Sequence, residues 1–142
     1  MPNSMRCFEN SAGYIVNHGH YMRLVWHPGE RADPDIMEVL NRLLELGQQL
    51  GIDRLLVDQG LMSSSSVEVE VWFKYDWLSR ARLQFDFGAA AILSSQNLLV
   101  RLATMGMLRH LLGWAGTFQI RVFSTGQQQA AIAWLTQHRP QA

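Results

Sequence analysis

The clearest pattern along the chain is a series of short apolar runs separated by longer amphipathic segments. Two runs near the start, over residues 5–9 and 14–17, predict short strands. A third strand is predicted within "YMRLVWH", where Met22, Leu24 and Trp26 alternate onto one face. The turn "NHGHY" separates the second strand from the third. The N-terminal part of the chain is therefore expected to form antiparallel strands.

An amphipathic helix follows these strands. Asp33 is a favourable N-cap residue, and Pro34 suits the first helical position. Apolar residues then recur at helical spacing from Ile36 to Leu50, and Gly51 is a natural residue to end the helix. The sequence therefore predicts one long helix between the third strand and the next apolar run.

Three later runs have the character of strands in the interior of a sheet. "DRLLVD" and "GAAAIL" are continuously apolar, which is typical of strands buried on both faces of a parallel sheet, and "QIRVF" alternates more clearly. A helix over about 97–113 separates the last two runs, and a helix within "STGQQQAAIAWLTQH" follows them. This order predicts an α/β fold: a mixed five- or six-stranded sheet with N-terminal antiparallel strands, flanked by four helices.

The segment "SSSSVEVEVWFKYDWL", residues 63–78, can be drawn as a strand or as a helix. Alternating Val67, Val69, Val71 and Phe73 favour a half-buried strand. The four serines, however, offer an N-cap for a helix. Parallel strands on either side require a crossover of about a dozen residues or more, which is usually helical. Topology therefore predicts a helix over 66–81.

That helix would carry two apolar stripes, although only one stripe can face the sheet. The first comprises Val67, Val71, Tyr75 and Leu78, and the second comprises Val69, Phe73 and Trp77. The stripe that turns away from the sheet must pack against a neighbouring helix, line a pocket or contact another chain. The helix over 97–113 also has surplus apolar residues. A homodimer is expected through the predicted interaction surface: Val69, Phe73, Trp77, Met105, Leu108 and Leu112.

Composition and charge exclude several classes of function. Lys and Arg number 12, as do Asp and Glu, so the chain has no basic footprint for nucleic acid. The single cysteine, Cys7, excludes an intramolecular disulfide and a CxxC site. No apolar run reaches the roughly 18 residues that cross a bilayer, and no signal peptide is recognisable. A cytoplasmic protein is expected, with one domain over 5–137 between short tails at 1–4 and 138–142.

Polar residues follow the carboxyl ends of the predicted parallel strands, where open α/β sheets bind ligands. Together with the serine run they could hold an anion or a polar head group, or carry a regulatory phosphate at a helix N-terminus. The alternative is that they only cap helices and form turns. These candidates are Asp58, Ser63, Ser64, Ser65, Ser66, Ser94, Ser95, Ser124 and Thr125.

No motif in the sequence indicates a catalytic or metal centre. The chain has no G-x-S-x-G, P-loop, HExxH or G-x-G-x-x-G sequence. His18 and His20 form an H-x-H pair with Cys7 upstream, but a metal site needs three or four converging ligands. Asp58 with a histidine and a serine could form a hydrolytic triad, which is the weakest of the functional hypotheses. Neither a metal nor a cofactor is expected.

The sequence "RVFSTGQQQAAIAWL" resembles the C-terminal part of small bacterial STAS-like domains, named after sulphate transporters and anti-sigma-factor antagonists. In those domains a strand ending in Phe leads into a helix with an Ala-x-x-Trp-Leu close, here Phe123, Ala131, Trp134 and Leu135. "LLVD" and "AAAIL" are similar to two strands of the family. "VWFKYDWLSRA" is similar to a helix of one uncharacterised branch. The resemblance covers about residues 5–137.

This resemblance implies a STAS-like mixed sheet flanked by helices, no enzyme activity, and binding of a protein, nucleotide or lipid. The branch is also likened to CRAL-TRIO lipid-transfer domains. Phospho-regulated antagonists carry Asp-Ser-Ser at the start of their second helix, whereas Met62 precedes the serine run here. That departure from the family pattern argues against a kinase switch.

Three functions follow, in order of preference. The first is a non-catalytic binding or regulatory module that acts through protein–protein contact, with another protein or with itself. The second is a carrier or sensor of a small apolar or lipid-like ligand, and the third is a hydrolase. A carrier requires an apolar cavity of roughly 300 Å³ or more, whereas a protein-binding module requires a flat exposed patch.

Overall fold

The computed structural model describes residues 5–85, 88–111 and 118–137. These residues contain one six-stranded sheet whose strands follow each other across it in chain order. The strands are β1 (Met5–Glu9), β2 (Gly13–Asn17), β3 (Met22–Trp26), β4 (Arg54–Asp58), β5 (Ala89–Leu93) and β6 (Gln119–Phe123). The first three pair antiparallel and the last four pair parallel, which confirms the predicted mixed sheet. The predicted tails at 1–4 and 138–142 lie outside the described residues.

Four helices flank the sheet within the described part of the chain. They are α1 (Asp33–Leu50), a helix made of α2 (Val67–Trp72), a π segment (Phe73–Trp77) and α3 (Leu78–Gln84), then α4 (Leu98–Leu111) and α5 (Gln128–Gln137). Because α2, the π segment and α3 run on without interruption, they are called the π-containing helix. The helix predicted from topology over 66–81 is confirmed, and the strand alternative is excluded.

The helices divide unequally between the two faces of the sheet. Strand order advances in one direction from β3 to β6, so crossovers of one hand place α1, the π-containing helix and α4 on the same face. Leu24, Leu55 and Ala90 pack on this face. The opposite face is covered by α5, against which Leu56 and Ala91 are buried. Adjacent alanines of β5 thus belong to different halves of the core.

The π segment explains which apolar stripe of its helix faces inward. On an α-helix, residues four apart drift by about 40° per step, so a stripe with that spacing would wind away from the sheet. A π turn takes up an extra residue and offsets part of this rotation. Val69 and Trp77 are consequently buried, and Phe73 is partly buried. The residues of the other stripe that face solvent are Val67, Val71 and Tyr75.

The assignment of Val69 and Trp77 to an interaction surface is wrong, because their side chains are only 4% and 5% exposed. The indole Nε1 of Trp77 also donates a hydrogen bond to the Leu40 carbonyl oxygen at 2.8 Å, which ties this side chain to α1. On α4, Met105 is 50% exposed and Leu108 is partly buried. Leu112, the last member of the predicted surface, lies outside the described residues.

The start of α1 also differs from the prediction. Ala32 is the N-cap residue and makes no side-chain cap, while Asp33 is the first residue of the helix. The Asp33 carboxylate instead accepts a hydrogen bond from the Ser66 hydroxyl at 2.9 Å. At the other end Gly51 has φ +67°, a left-handed conformation that favours glycine, and ends the helix as predicted.

Candidate functional site

A pocket of about 330 Å³ lies between the sheet, the π-containing helix and α4. Its floor is made of side chains from β3 to β6: Leu24, Leu55, Val57, Ala90, Ile92 and Ile120. Two helices that pack on the sheet form one wall, with Ile36, Leu40, Leu43, Val69, Phe73, Trp77, Leu78 and Ala81. The lining is therefore overwhelmingly aliphatic and aromatic.

The pocket exists because α4 packs loosely against the rest of the molecule. Val100 is the only residue of α4 that is buried. Met107 and Leu111 face the pocket together with Ala103. A small floor residue, Ala90, adds to the space beneath the helix. Packed protein interiors hold few voids larger than a water molecule, so a space of this size is not an ordinary packing defect.

A few neutral polar groups interrupt the apolar lining near the carboxyl ends of the strands. They belong to Gln59, Ser64, Ser65 and Thr104. The Thr104 hydroxyl lies 3.1 Å from Gln59 Oε1 and 3.0 Å from the Val100 carbonyl oxygen, so it can donate to either acceptor. Ser64 and Ser65 are the only members of the predicted polar set that line the pocket.

Arg31 holds the serine loop in place from behind the pocket. Its Nη2 donates to the Ser63 carbonyl oxygen and lies 3.4 Å from the Ser65 hydroxyl. The guanidinium sits 5.2 Å from the ring centroid of Trp26, whose side chain lines the pocket. Burial lowers the pKa of Arg31 from its ordinary value. Sequence reasoning missed this residue, because nothing in the local pattern pairs residue 31 with a loop 32 residues away.

Ser66 is a structural residue at the start of the π-containing helix. Its hydroxyl oxygen accepts a hydrogen bond from the Val69 backbone N–H at 3.1 Å, as an N-cap does, and donates to Asp33. The expectation that one serine of the run caps this helix is confirmed. A phosphate on Ser66 would lie against the Asp33 carboxylate, and the two negative charges would repel each other.

Replacing Ser66 with alanine should lower the free energy of unfolding by about 1 kcal/mol, because the cap and the bond to Asp33 are both lost. Ser64→Ala is the matched control. Ser64 is exposed, and its hydroxyl makes no hydrogen bond within the described residues, so a change below about 0.5 kcal/mol is expected. Urea unfolding of both variants measures the difference, and equal losses would contradict the assignment of Ser66 as the cap.

The other predicted polar residues stabilise turns rather than the pocket. Ser95 is buried, accepts from the Asn97 N–H at 3.0 Å and lies 3.3 Å from the Met62 carbonyl oxygen. Ser124 forms a capping box with Gln127, and the Thr125 hydroxyl donates to the Ser94 carbonyl oxygen at 2.9 Å. These are contacts of turns and of one helix cap, and the side chains of Ser95, Ser124 and Thr125 do not line the pocket.

Asp58 makes local contacts that occupy both of its carboxylate oxygens. Oδ1 accepts from the Gly60 N–H at 2.9 Å, and Oδ2 lies 3.3 Å from Arg23 Nη2. Over residues 5–85, 88–111 and 118–137, no three His, Cys, Asp or Glu side chains converge in a way that could hold a metal ion. At this edge of the sheet, the negative charge of Asp58 is therefore paired with the Arg23 guanidinium.

The family model described as SpoIIAA-like matches residues 28–136, from just after β3 to the last turns of α5. This chain belongs to the SpoIIAA-like family. Among curated proteins and solved structures, none matches it significantly. SpoIIAA-like domains are STAS-like and are generally non-catalytic regulatory and binding modules, so the resemblance stated from the sequence is confirmed.

The region matched to the SpoIIAA-like family contains every helix that walls the pocket and three of the four strands that form its floor. Of the helices that the structure describes in this SpoIIAA-like protein, none has the length and hydropathy needed to cross a bilayer. Charged residues at the pocket, Glu70, Lys74 and Arg82, were not singled out from the sequence. One signal was available for Lys74, because it is the only lysine in the chain.

Proposed function

We propose that this protein is a non-catalytic module that binds a small apolar ligand in the pocket beneath α4. The observation that carries the proposal is the pocket itself, with about 330 Å³ of space and a lining dominated by aliphatic and aromatic side chains. Ligand pockets typically have volumes of about 300–1,000 Å³ and present a few polar groups among apolar ones. This pocket lies at the small end of that range.

The energetics favour a ligand over water in this space. Water in the pocket would contact mostly apolar side chains, and displacing it gains about 25 cal/mol for each Å² of apolar surface removed from water. Neutral polar groups from Gln59, Ser65 and Thr104 are available to orient a ligand at one end. Shape and burial would supply most of the affinity, and these groups would supply orientation.

A second candidate function is protein–protein contact through the outer face of α4. Four of its apolar side chains are at least half exposed: Leu98 (60%), Leu99 (62%), Leu102 (53%) and Met105 (50%). Adjacent exposed apolar residues of this kind are characteristic of contact surfaces. They replace the buried Val69 and Trp77 as the residues through which self-association or binding of another protein would occur.

Native mass spectrometry of the protein purified from its expression host tests both candidates in one measurement. A retained apolar ligand is expected as a mass increment that disappears on denaturation, and organic extraction then identifies the compound. Contact through α4 would appear as a dimer whose population rises with protein concentration.

The proposed ligand function also predicts binding by the apo protein. Protein stripped of ligand by denaturation and refolding should bind the neutral apolar dye Nile red with a fluorescence increase. Absence of any retained compound, together with no dye binding by correctly refolded protein, would contradict the pocket proposal. If the protein is monomeric at every concentration, α4 does not mediate self-association, and the second candidate is limited to binding of another protein.

A further inference from the structure

We infer that the ligand carries a single anionic head group, such as a carboxylate, and that the Lys74 ammonium is its contact at the rim of the pocket. The inference rests on the proposed function, because it names the class of apolar ligand that the pocket takes. The expected ligand class is an amphiphile with an aliphatic tail and one negative charge.

Lys74 occupies a position where a lysine otherwise has no evident role. It lies in the π segment between the pocket residues Phe73 and Trp77, and its own side chain also lines the pocket. Among the described residues it forms no ion pair, and its Nζ lies 5.6 Å from the ring centroid of its neighbour Tyr75. Tyr75 in turn contacts His110 of α4 at 5.4 Å between ring centroids. These contacts put the lysine where the π-containing helix meets α4.

The charges around the pocket favour an anion. Arg82, two turns beyond Lys74 on the same side of the helix, also lines the pocket, and among the described lining residues only Glu70 is acidic. Glu70 is exposed, whereas Lys74 is partly buried, so the acidic charge is the better screened by water. Among the described residues of the lining the formal charges of Lys74, Arg82 and Glu70 therefore sum to +1.

The rim is also the place where an anionic head group costs least. A carboxylate drawn into the apolar interior would lose its hydration without compensation. At the rim it can keep part of its hydration and accept a charge-assisted hydrogen bond from the Lys74 ammonium. The aliphatic tail would then extend over the floor formed by Ala90 and Ile92.

Paired ligands that differ only in charge test the inference. Octanoate, decanoate and dodecanoate are titrated into apo protein by calorimetry, alongside the alcohols of the same chain lengths. The carboxylate should bind about tenfold more tightly than the matched alcohol, given the strength of a hydrogen bond between charged groups. Lys74→Met should remove that difference, mainly by weakening carboxylate binding. Lys74→Arg should retain it, because the charge is kept.

A spectroscopic readout exploits the fact that the chain has a single lysine. Reductive methylation with ¹³C-formaldehyde labels the Lys74 amine and the N-terminal amine and preserves their positive charge. The Lys74 methyl resonance is assigned by its absence in Lys74→Met. Decanoate should shift this resonance, whereas decanol should not.

The possible outcomes separate the inference from the proposed function. If carboxylate and alcohol bind equally well to wild type and to Lys74→Met, the pocket binds apolar ligands but the head-group inference is overturned. If the tenfold preference persists in Lys74→Met and is lost in Arg82→Met, the anion contact is not Lys74 and the inference is likewise overturned. If neither compound binds and Nile red does not bind either, the proposed ligand-binding function itself is contradicted.

Discussion

Trp77→Ala should lower the free energy of unfolding by about 3–5 kcal/mol, as large aromatic truncations in packed cores do. The Trp77 side chain is 5% exposed, stacks on Phe73 with 5.1 Å between ring centroids, and donates to the Leu40 carbonyl oxygen. Alanine removes the ring contacts, the hydrogen bond and the link between α1 and the π segment. Urea unfolding followed by circular dichroism measures the loss.

Tyr75→Ala is the control for this prediction, since residue 75 lies in the same π segment but its side chain is 63% exposed. Its cost should stay below about 1 kcal/mol, as is usual for surface positions. Equal costs for the two variants would mean that the π segment does not turn Trp77 inward. A large cost for Trp77→Ala would agree with the burial of this side chain within a single chain.

Ala90→Leu and Ala91→Leu should have opposite effects on stability and on ligand affinity, although the two alanines are neighbours on β5. Ala90 faces the pocket, so Ala90→Leu places three more carbon atoms in open space and should change the stability by less than about 1 kcal/mol. Those carbons take the space of about three methylenes of the ligand. Since each buried methylene contributes about 0.8 kcal/mol to binding, the affinity for dodecanoate should fall roughly fifty-fold. Calorimetry of the variant measures this loss.

Ala91→Leu is the matched overpacking variant. Ala91 is fully buried in the cluster with Leu56, Ala131 and Leu135, so a larger side chain should cost about 1–3 kcal/mol of unfolding free energy. Dodecanoate affinity should remain close to that of wild type, because this face of the sheet does not border the pocket. If Ala90→Leu bound dodecanoate as well as wild type does, the tail would not lie over β5.

Most of the fold could be predicted from residue patterns because each strand carries its own signal. The alternation of Met22, Leu24 and Trp26 marks a strand, and the apolar runs of β4 and β5 mark strands buried on both faces. The helix after the serine run needed a topological argument, since its valines alternate as they would in a strand. The requirement for a crossover between parallel strands settled that case.

The inward face of the π-containing helix could not be predicted, because both stripes were equally apolar. The choice depends on an extra residue within one turn, which has no signature in the hydrophobic pattern. The pocket was also unpredictable, since Leu55, Ala90 and Ile92 would have the same sequence pattern in a filled core. The space goes with the light packing of α4, which buries only Val100, and such packing is a tertiary property.

The spatial order of the strands, which equals their order in the chain, has a consequence for how the protein folds. Within the described residues each strand pairs only with its immediate neighbours in the chain. Chain synthesis proceeds from the N-terminus, so each newly emerged strand finds the edge of an already formed sheet as its template. At each stage the growing edge of the sheet waits only for the next strand in the chain. Loop-closure entropy is then lost in steps, so that no step closes a loop longer than one strand–helix–strand unit.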